Sequence, residues 1–363
     1  MKKFGFGLMR LPKNDGVIDV EQVKKMADEF IARGFTYFDT AYTYEGSEVA
    51  FREAVAKRYP RDAYTIADKL PGQLLKSADE AEKFFNESLE RCGVDYFDYY
   101  LLHSIHPSTV AFFDKFDCWS FGLKMKEQGK IKKFGFSFHG APDLLEELLT
   151  KHPEVDFVQL QINYLDWESD IVCSKENYEV CCRHNKPVTV MEPAKGGLLA
   201  NPNPNVAEVF SKLDPKASAA SFALRFAASL DNVKMVLSGM GSIEQMNDNL
   251  NTFEDFKPLI EEEHKAVEEA RNIMMSAPII ECTACRYCTK GCPKHINIPD
   301  IFKCYNLYLK LGVHNTYKIH YTAVLLDSGR ASECIGCGQC ERACPQHLPI
   351  IENLKKASEL LDA

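Results

Sequence analysis

The sequence predicts an α/β protein: a (β/α)8 barrel of the TIM type over residues 1–276, followed by a small, mainly helical domain over 277–363. Three observations carry this. Short β-branched or aromatic runs alternate with helix-length amphipathic stretches as far as about residue 250, and the strand-like runs number eight. Such alternation implies a parallel sheet, and eight units in that length match a closed barrel. No G-x-G-x-x-G follows the first strand, as a doubly wound dinucleotide fold would want. Beyond residue 280 the cysteines crowd into two runs of identical spacing.

The strand-like runs are KFGFGLM (3–9), FTYFDT (35–40), YTIADKL (64–70), DYYLLHS (98–104), KFGFSF (133–138), FVQLQINY (157–164), PVTVMEP (187–193) and VKMVLSG (233–239). Between them 20–33, 47–58, 77–92, 141–151, 174–184 and 216–229 place apolar residues three or four apart, as helices packed on a sheet require. Residues 254–276 read as a further helix that closes the barrel and leads into the cysteine-rich part. Chemistry is then expected at the C-terminal ends of the strands.

The 363 residues are 45% hydrophobic and 26% charged, enough apolar surface for a sizeable core. The net charge of −9 argues against nucleic acid as a partner. Residues 277–363 hold 10 Lys+Arg against 8 Asp+Glu, a net +2 that leaves −11 on the first 276. A mildly basic tail is either an ordinary solvated surface or a docking face for an acidic electron-carrier protein. The start, MKKFGFGLMRLP, has no apolar h-region, and no apolar run is long enough to span a bilayer, so a cytoplasmic protein without a membrane partner is expected.

Four polar residues fall where the second, third and fourth strands end: Asp39, Tyr44, Lys69 and His103. Singly, each has a structural explanation: a helix cap, rim packing, a snorkelling lysine, a satisfied core histidine. Together they form a proton-delivery set. Tyrosine, with an ordinary pKa of about 10, is a poor acid at neutral pH, and a neighbouring ammonium lowers that value. A carboxylate on the lysine keeps the ammonium charged and in place, and a histidine can orient a carbonyl oxygen. Such a set suits reduction of a carbonyl on a small-molecule substrate.

At this point the sequence resembles the aldo/keto reductases over roughly residues 4–252. GFGLMRLP resembles the family's opening strand, and FDTAYTYEGSE its DTAxxYGxSE signature, supplying Asp39, Tyr44, Ser47 and Glu48. DKL and LLHS match its lysine and histidine positions, and GFSFHG, QINY and SGMGSIEQMNDN its later cofactor segments. The resemblance implies a nicotinamide dinucleotide, NADP(H) or NAD(H), with Ser137 and Gln161 on the carboxamide and Gly239, Ser242, Gln245 and Asn249 at the adenosine end. Three positions depart from the pattern. Phe138 stands where the family has asparagine, and Met191 where an aromatic commonly stacks on the nicotinamide. Met240, Gly241 and Gln245 stand where basic residues commonly meet a 2′-phosphate. These departures leave room for NADH or a flavin. The loop EPAKGGLLANPNPN (192–205) reads either as a cover over the cofactor or as ordinary surface, with Lys195 given no role.

Of the 14 cysteines, nine lie beyond residue 280. Eight of these form Cys282, Cys285, Cys288, Cys292-Pro293 and Cys334, Cys337, Cys340, Cys344-Pro345. Both runs are C-x2-C-x2-C-x3-C-P, the spacing of bacterial two-cluster ferredoxins, in which the fourth cysteine serves the other cluster. On that pattern one 4Fe-4S cluster takes Cys282, Cys285, Cys288 and Cys344, and the other Cys334, Cys337, Cys340 and Cys292. Zinc needs only four ligands per ion and has no use for three evenly spaced cysteines followed by Cys-Pro. CPKHINIP and CPQHLPII repeat each other, with helix-like sequence between, as in a ferredoxin-like two-cluster domain. His295 and His347 read as loop residues, and Cys92, Cys118, Cys173, Cys181, Cys182 and Cys304 as small apolar ones.

The whole resembles the ferredoxin-fused branch of the aldo/keto reductases, and three functions stay open. One is a carbonyl oxidoreductase using NAD(P)H and the tetrad, another a ferredoxin-dependent reductase whose clusters feed a barrel-bound flavin or substrate. The third is a non-catalytic redox sensor.

Overall fold

A computed structural model of the chain describes residues 2–169, 172–276, 279–311 and 315–362. Eight parallel strands close into a barrel: β1 (Phe4–Gly7), β2 (Tyr37–Asp39), β3 (Thr65–Leu70), β4 (Phe97–Ile105), β5 (Ile131–Phe138), β6 (Phe157–Gln161), β7 (Val188–Met191) and β8 (Val233–Gly239). Each pairs with its neighbours in sequence, and β8 returns to β1. A small hairpin, Lys13–Asn14 against Val17–Ile18, follows β1.

The strands form where the runs of Phe, Tyr, Val and Ile lie, because those side chains fill both faces of a doubly covered parallel sheet. Outside the barrel the phenylalanines pack on one another: Phe4 stacks on Phe253 at 4.6 Å between centroids, and Phe30 meets Phe38 at 5.1 Å. Inside, Tyr37, Ala67, Leu101, Phe157, Met235 and Leu237 form a separate buried cluster. Strand register sets the site. Gly7 pairs with both Asp39 and Gly239, Lys69 with Leu101, Ser137 with Gln159, and Gln161 with Met191.

Helix boundaries differ from expectation in two places. The helix expected over 47–58 is a short α-helix, Ser47–Phe51, that passes into a π turn, Arg52–Ala56, where Lys57 N–H donates to Arg52 O at 3.0 Å. The wider turn lets both Ala54 and Val55 be buried. The helix expected over 254–276 spans Glu261–Met275. Residue 254 instead ends the helix Ile243–Glu254, and Pro258 interrupts until Glu263 accepts the Ile260 N–H at 2.9 Å.

The chain divides into two compact units, Met1–Gly196 with Ala220–His264, and Gly197–Ala219 with Lys265–Ala363. The expected boundary at 276/277 touches residues 277 and 278, outside the described residues. In the second unit the helices Ile298–Leu311, Asn315–Val324, Gln339–Arg342 and Ile350–Leu361 are present; residues 312–314 of the expected helical stretch lie outside the described residues. Its core gathers Ile298, Ile301, Phe302, Cys304, Ile350 and Leu354. Among the described residues no helix is long and apolar enough to cross a membrane.

Candidate functional site

Asp39 ends β2 and Lys69 is the last residue but one of β3, so both side chains turn into the barrel mouth. Lys69 is wholly buried and donates to Asp39 Oδ2 at 2.7 Å and to Thr40 O at 2.5 Å. Tyr44 follows in a turn braced from below. Its carbonyl accepts from Ser47 N–H (3.0 Å), Ser47 Oγ lies 2.7 Å from Thr40 Oγ1, and Ser47 donates to Leu8 O (3.1 Å). The Lys69 ammonium sits 5.0 Å from the Tyr44 ring centroid, and the His103 ring meets Tyr44 edge-on at 5.8 Å. All four residues singled out in the sequence therefore come together. Glu48 of the same signature does not. It pairs with Arg91 at 3.2 Å, in a buried group with Asp68 and Cys92.

Burial opposes the charge on Lys69, but Asp39 and Tyr44 outweigh it and the ammonium is raised above its ordinary value. Burial raises the Asp39 carboxyl while Lys69 pulls it back; the 2.7 Å contact and the raised lysine leave the pair ionic. For Tyr44 the expectation is corrected. Lys69 does pull its pKa down, but burial pushes harder the other way and Asp39 adds to it, so the phenol lies above its ordinary value. Tyr44 thus holds its proton at neutral pH.

Burial, aided by the Lys69 and His139 charges, drives His103 down to about 3, so it works as a neutral imidazole, with Nδ1 3.4 Å from Thr43 Oγ1. A stability effect follows. Below 6.5 the unfolded chain takes a proton at this ring while the folded one, down to about 3, does not. Folding stability is expected to fall by about 2 kcal/mol between pH 7 and pH 5 from this group alone. His103→Gln should lose that part of the slope in urea unfolding at the two pH values; an unchanged slope would refute the assignment.

On the far side of the mouth, Ser137 on β5 is buried and accepts from Ser104 N–H at 2.7 Å. Ser104 stands at φ 61°, and Thr109 Oγ1 holds its carbonyl at 2.7 Å. Phe138 is buried in the apolar core and offers no polar group. Gln161 ends β6, and Met191 ends β7 with its sulfur 3.5 Å from Gln159 Nε2. Gly239, Ser242, Gln245 and Asn249 gather where β8 meets the helix Ile243–Glu254. Ser242 caps that helix by accepting from Gln245 N–H (3.3 Å), Gln245 Oε1 accepts from Gly241 N–H (2.8 Å), and buried Asn249 donates to Ser238 Oγ (3.1 Å). The exposed helix start beside two exposed glycines is a place where backbone N–H groups can face a phosphate.

The sequence reading missed a cation here. The Arg10 stem lies 3.2–3.4 Å from where a Cβ on Gly239 would stand, and Arg10 Nη2 is 3.5 Å from Glu192 Oε1. The only signal was its place in MRLP after β1, read as part of the strand. Lys195, without a role in sequence, donates to Asp166 Oδ1 at 2.6 Å.

In the second unit, one pocket is lined by Cys282, Cys285, Cys288 and Cys344, and another by Cys334, Cys337, Cys340 and Cys292. Both are partly open to solvent, and Ile298 lines both. The rest of each wall is largely apolar, with Phe302, Leu348 and Ile350 in the first and Ile296, Ile335 and Leu354 in the second. Four thiols around an apolar pocket fit an iron–sulfur cluster. Burial raises the Cys288 and Cys340 thiols to about 11, so without a metal they keep their protons. The duplication reaches the backbone. Ala284, Arg286 and His295 are left-handed (φ 55°, 63° and 52°), and so are their counterparts Gly336, Gly338 and His347 (67°, 71° and 51°). Glycine takes this conformation without strain, so only the second loop uses the residue best suited to it.

Comparison with known proteins places two family matches along the chain. The aldo/keto reductase family matches residues 3–272, and a 4Fe-4S dicluster domain matches 281–349. An aldo-keto reductase of Mycolicibacterium smegmatis is 28% identical over 66% of this chain and 79% of its own. The NAD/NADP-dependent indole-3-acetaldehyde reductase of Schizosaccharomyces pombe is 28% identical over 70% and 85%. Among solved structures, the holo form of a Bacillus halodurans aldo-keto reductase superposes with a TM-score of 0.59, at 24% identity, over 74% of this chain and 91% of that one. A Klebsiella pneumoniae aldo/keto reductase in complex with NADP and acetate gives 0.60, at 20% identity, over 74% and 90%. The chain belongs to the aldo/keto reductase family, and is an oxidoreductase whose barrel is followed by a 4Fe-4S domain.

Proposed function

We propose that the barrel reduces a carbonyl-like small molecule with a nicotinamide dinucleotide, NADP(H) or NAD(H), that Tyr44 gives the proton, and that the two cysteine cavities hold 4Fe-4S clusters for electron transfer. The observation that carries the reading is the buried Lys69–Asp39 pair at 2.7 Å beneath the Tyr44 ring. A bound nicotinamide supplies hydride to carbon, and the chain's own residues deal with the oxygen. Neutral His103 orients that oxygen by hydrogen bonding. Tyr44 delivers the proton it keeps at neutral pH, and Lys69 steadies the negative charge left on the phenol. Asp39 keeps Lys69 charged and in line. Ser137 and Gln161 suit a carboxamide; Gly239, Ser242, Gln245 and Asn249 belong to the adenosine end, with Arg10 the nearby cation. The NADP complex of the Klebsiella protein supports this choice of cofactor.

A second reading, in which the clusters feed the barrel by single electrons, is favoured by the completeness of both four-thiol cavities. One anaerobic experiment tests nucleotide and wiring together. The clusters are reduced chemically, excess reductant is removed, and NADP+ or NAD+ is added. Return of the cluster absorbance with matching NAD(P)H formation is expected if clusters and nucleotide communicate. Nucleotide binding without reoxidation would confine the clusters to a structural role or to exchange with a separate acidic carrier. No nucleotide binding at all would end the nicotinamide reading.

A further inference from the structure

Lys195 lies four residues beyond β7, in the loop that the sequence left unexplained. Its Nζ donates to both oxygens of Asp166, at 2.6 and 2.7 Å. Asp166 is only 6% exposed, and its Oδ2 also accepts from Gln161 Nε2 and Asn163 Nδ2, each at 2.9 Å. Asn163 Oδ1 accepts from Asp166 N–H at 2.9 Å, and Asn163 Nδ2 reaches Glu192 O at 3.2 Å. Glu192 and Lys195 both stand in left-handed backbone, φ 55° and 46°, unusual for non-glycine residues and typical of segments held by their surroundings.

A carboxylate accepts hydrogen bonds and cannot donate them. The end of the Gln161 amide facing Asp166 must therefore be its NH2, and Oε1 must face the other way, where it has no partner among the described residues. Ser137, on the adjacent strand, has the opposite polarity. Its oxygen already accepts from Ser104 N–H, which leaves the hydroxyl hydrogen to give. One fixed acceptor and one free donor thus stand on neighbouring strand ends, and Phe138 contributes nothing polar beside them.

We propose that Asp166 and Lys195 are positioning residues that make Gln161 an obligate acceptor, so that Gln161 reads the NH2 of a carboxamide while Ser137 reads its C=O, and the nicotinamide can lie only one way round. This rests on the nicotinamide reading above. Lys195 pins both oxygens of the buried carboxylate, and Asn163 holds it in register with the β7 loop.

The test is equilibrium binding of NADP+ and of its 3-acetylpyridine analogue, in which a methyl replaces the carboxamide NH2, to full-length, cluster-replete protein. The wild type is expected to prefer NADP+ by about tenfold, the worth of one hydrogen bond to a site that cannot reverse its polarity. In Asp166→Asn the side chain can donate, Gln161 can turn round, and the preference should collapse toward one. Lys195→Met should do the same, because Asp166 then loses the ammonium that pins both of its oxygens and no longer holds the Gln161 NH2 in place. Gln161→Met should abolish the preference with Asp166 intact. Far-UV circular dichroism and the cluster spectrum identify any variant that has failed to fold, and the remaining one then decides. A wild-type ratio near one, or a tenfold ratio that survives in the folded Asp166 or Lys195 variant, overturns the proposal. Failure of the wild type to bind either nucleotide overturns the nicotinamide reading, and the proposal with it.

Discussion

Tyr44→Phe is expected to lower the rate of carbonyl reduction by about 10²–10⁴-fold, the usual contribution of a positioned proton donor. Only an oxygen is removed. The ring keeps its edge contact with His103 and its place above Lys69, so nucleotide affinity, iron content and thermal stability should stay within a small margin of the wild type. Because burial raises the phenol above its ordinary value of 10, the wild-type rate should hold level through neutral pH and decline only above 10, as the donor loses its proton. Turnover by the phenylalanine variant within a factor of a few of wild type would remove Tyr44 from the role. A decline beginning near pH 7 would show that the lysine outweighs burial after all.

Cys344→Ala is expected to remove one cluster and spare the other, halving the iron per chain. The reason is geometric: Cys344 follows Cys340 by only four residues, yet it lines the cavity of Cys282, Cys285 and Cys288. A double variant separates this from pairing within each run. Cys285→Ala with Cys344→Ala strikes a single cavity and should leave as much iron as Cys344→Ala alone, whereas Cys337→Ala with Cys344→Ala strikes both and should leave almost none. The reverse pattern would mean that each run closes its own cluster. Iron and sulfide analysis with electron paramagnetic resonance of the reduced protein reads the result.

Where this sequence was legible, the signal was local. Alternation of strand and helix periods needs only a dozen residues to show itself, and it located all eight strands, with Asp39, Lys69 and Gln161 inside or at the ends of their strands. The cysteine spacings were equally plain, since three ligands for one corner of a cluster must lie close in sequence. Helix ends were harder. The π turn at 52–56 and the interruption at 255–260 depend on which residues the sheet buries, and the pattern over 254–276 ran across a proline that ends continuity.

What only the tertiary structure decided was contact between distant segments and depth of burial. Arg10 meets Gly239 because β1 and β8 close the barrel in one register, and Lys195 meets Asp166 because the β6 and β7 loops turn toward each other. No spacing in the chain announces either contact. The sign of the Tyr44 shift is the clearest instance. The sequence by itself determined that a lysine would stand beside the tyrosine, and so the direction of that one influence. How far both groups are withdrawn from water was set by the closed barrel, and desolvation outweighs the charge of a lysine that a buried aspartate already balances.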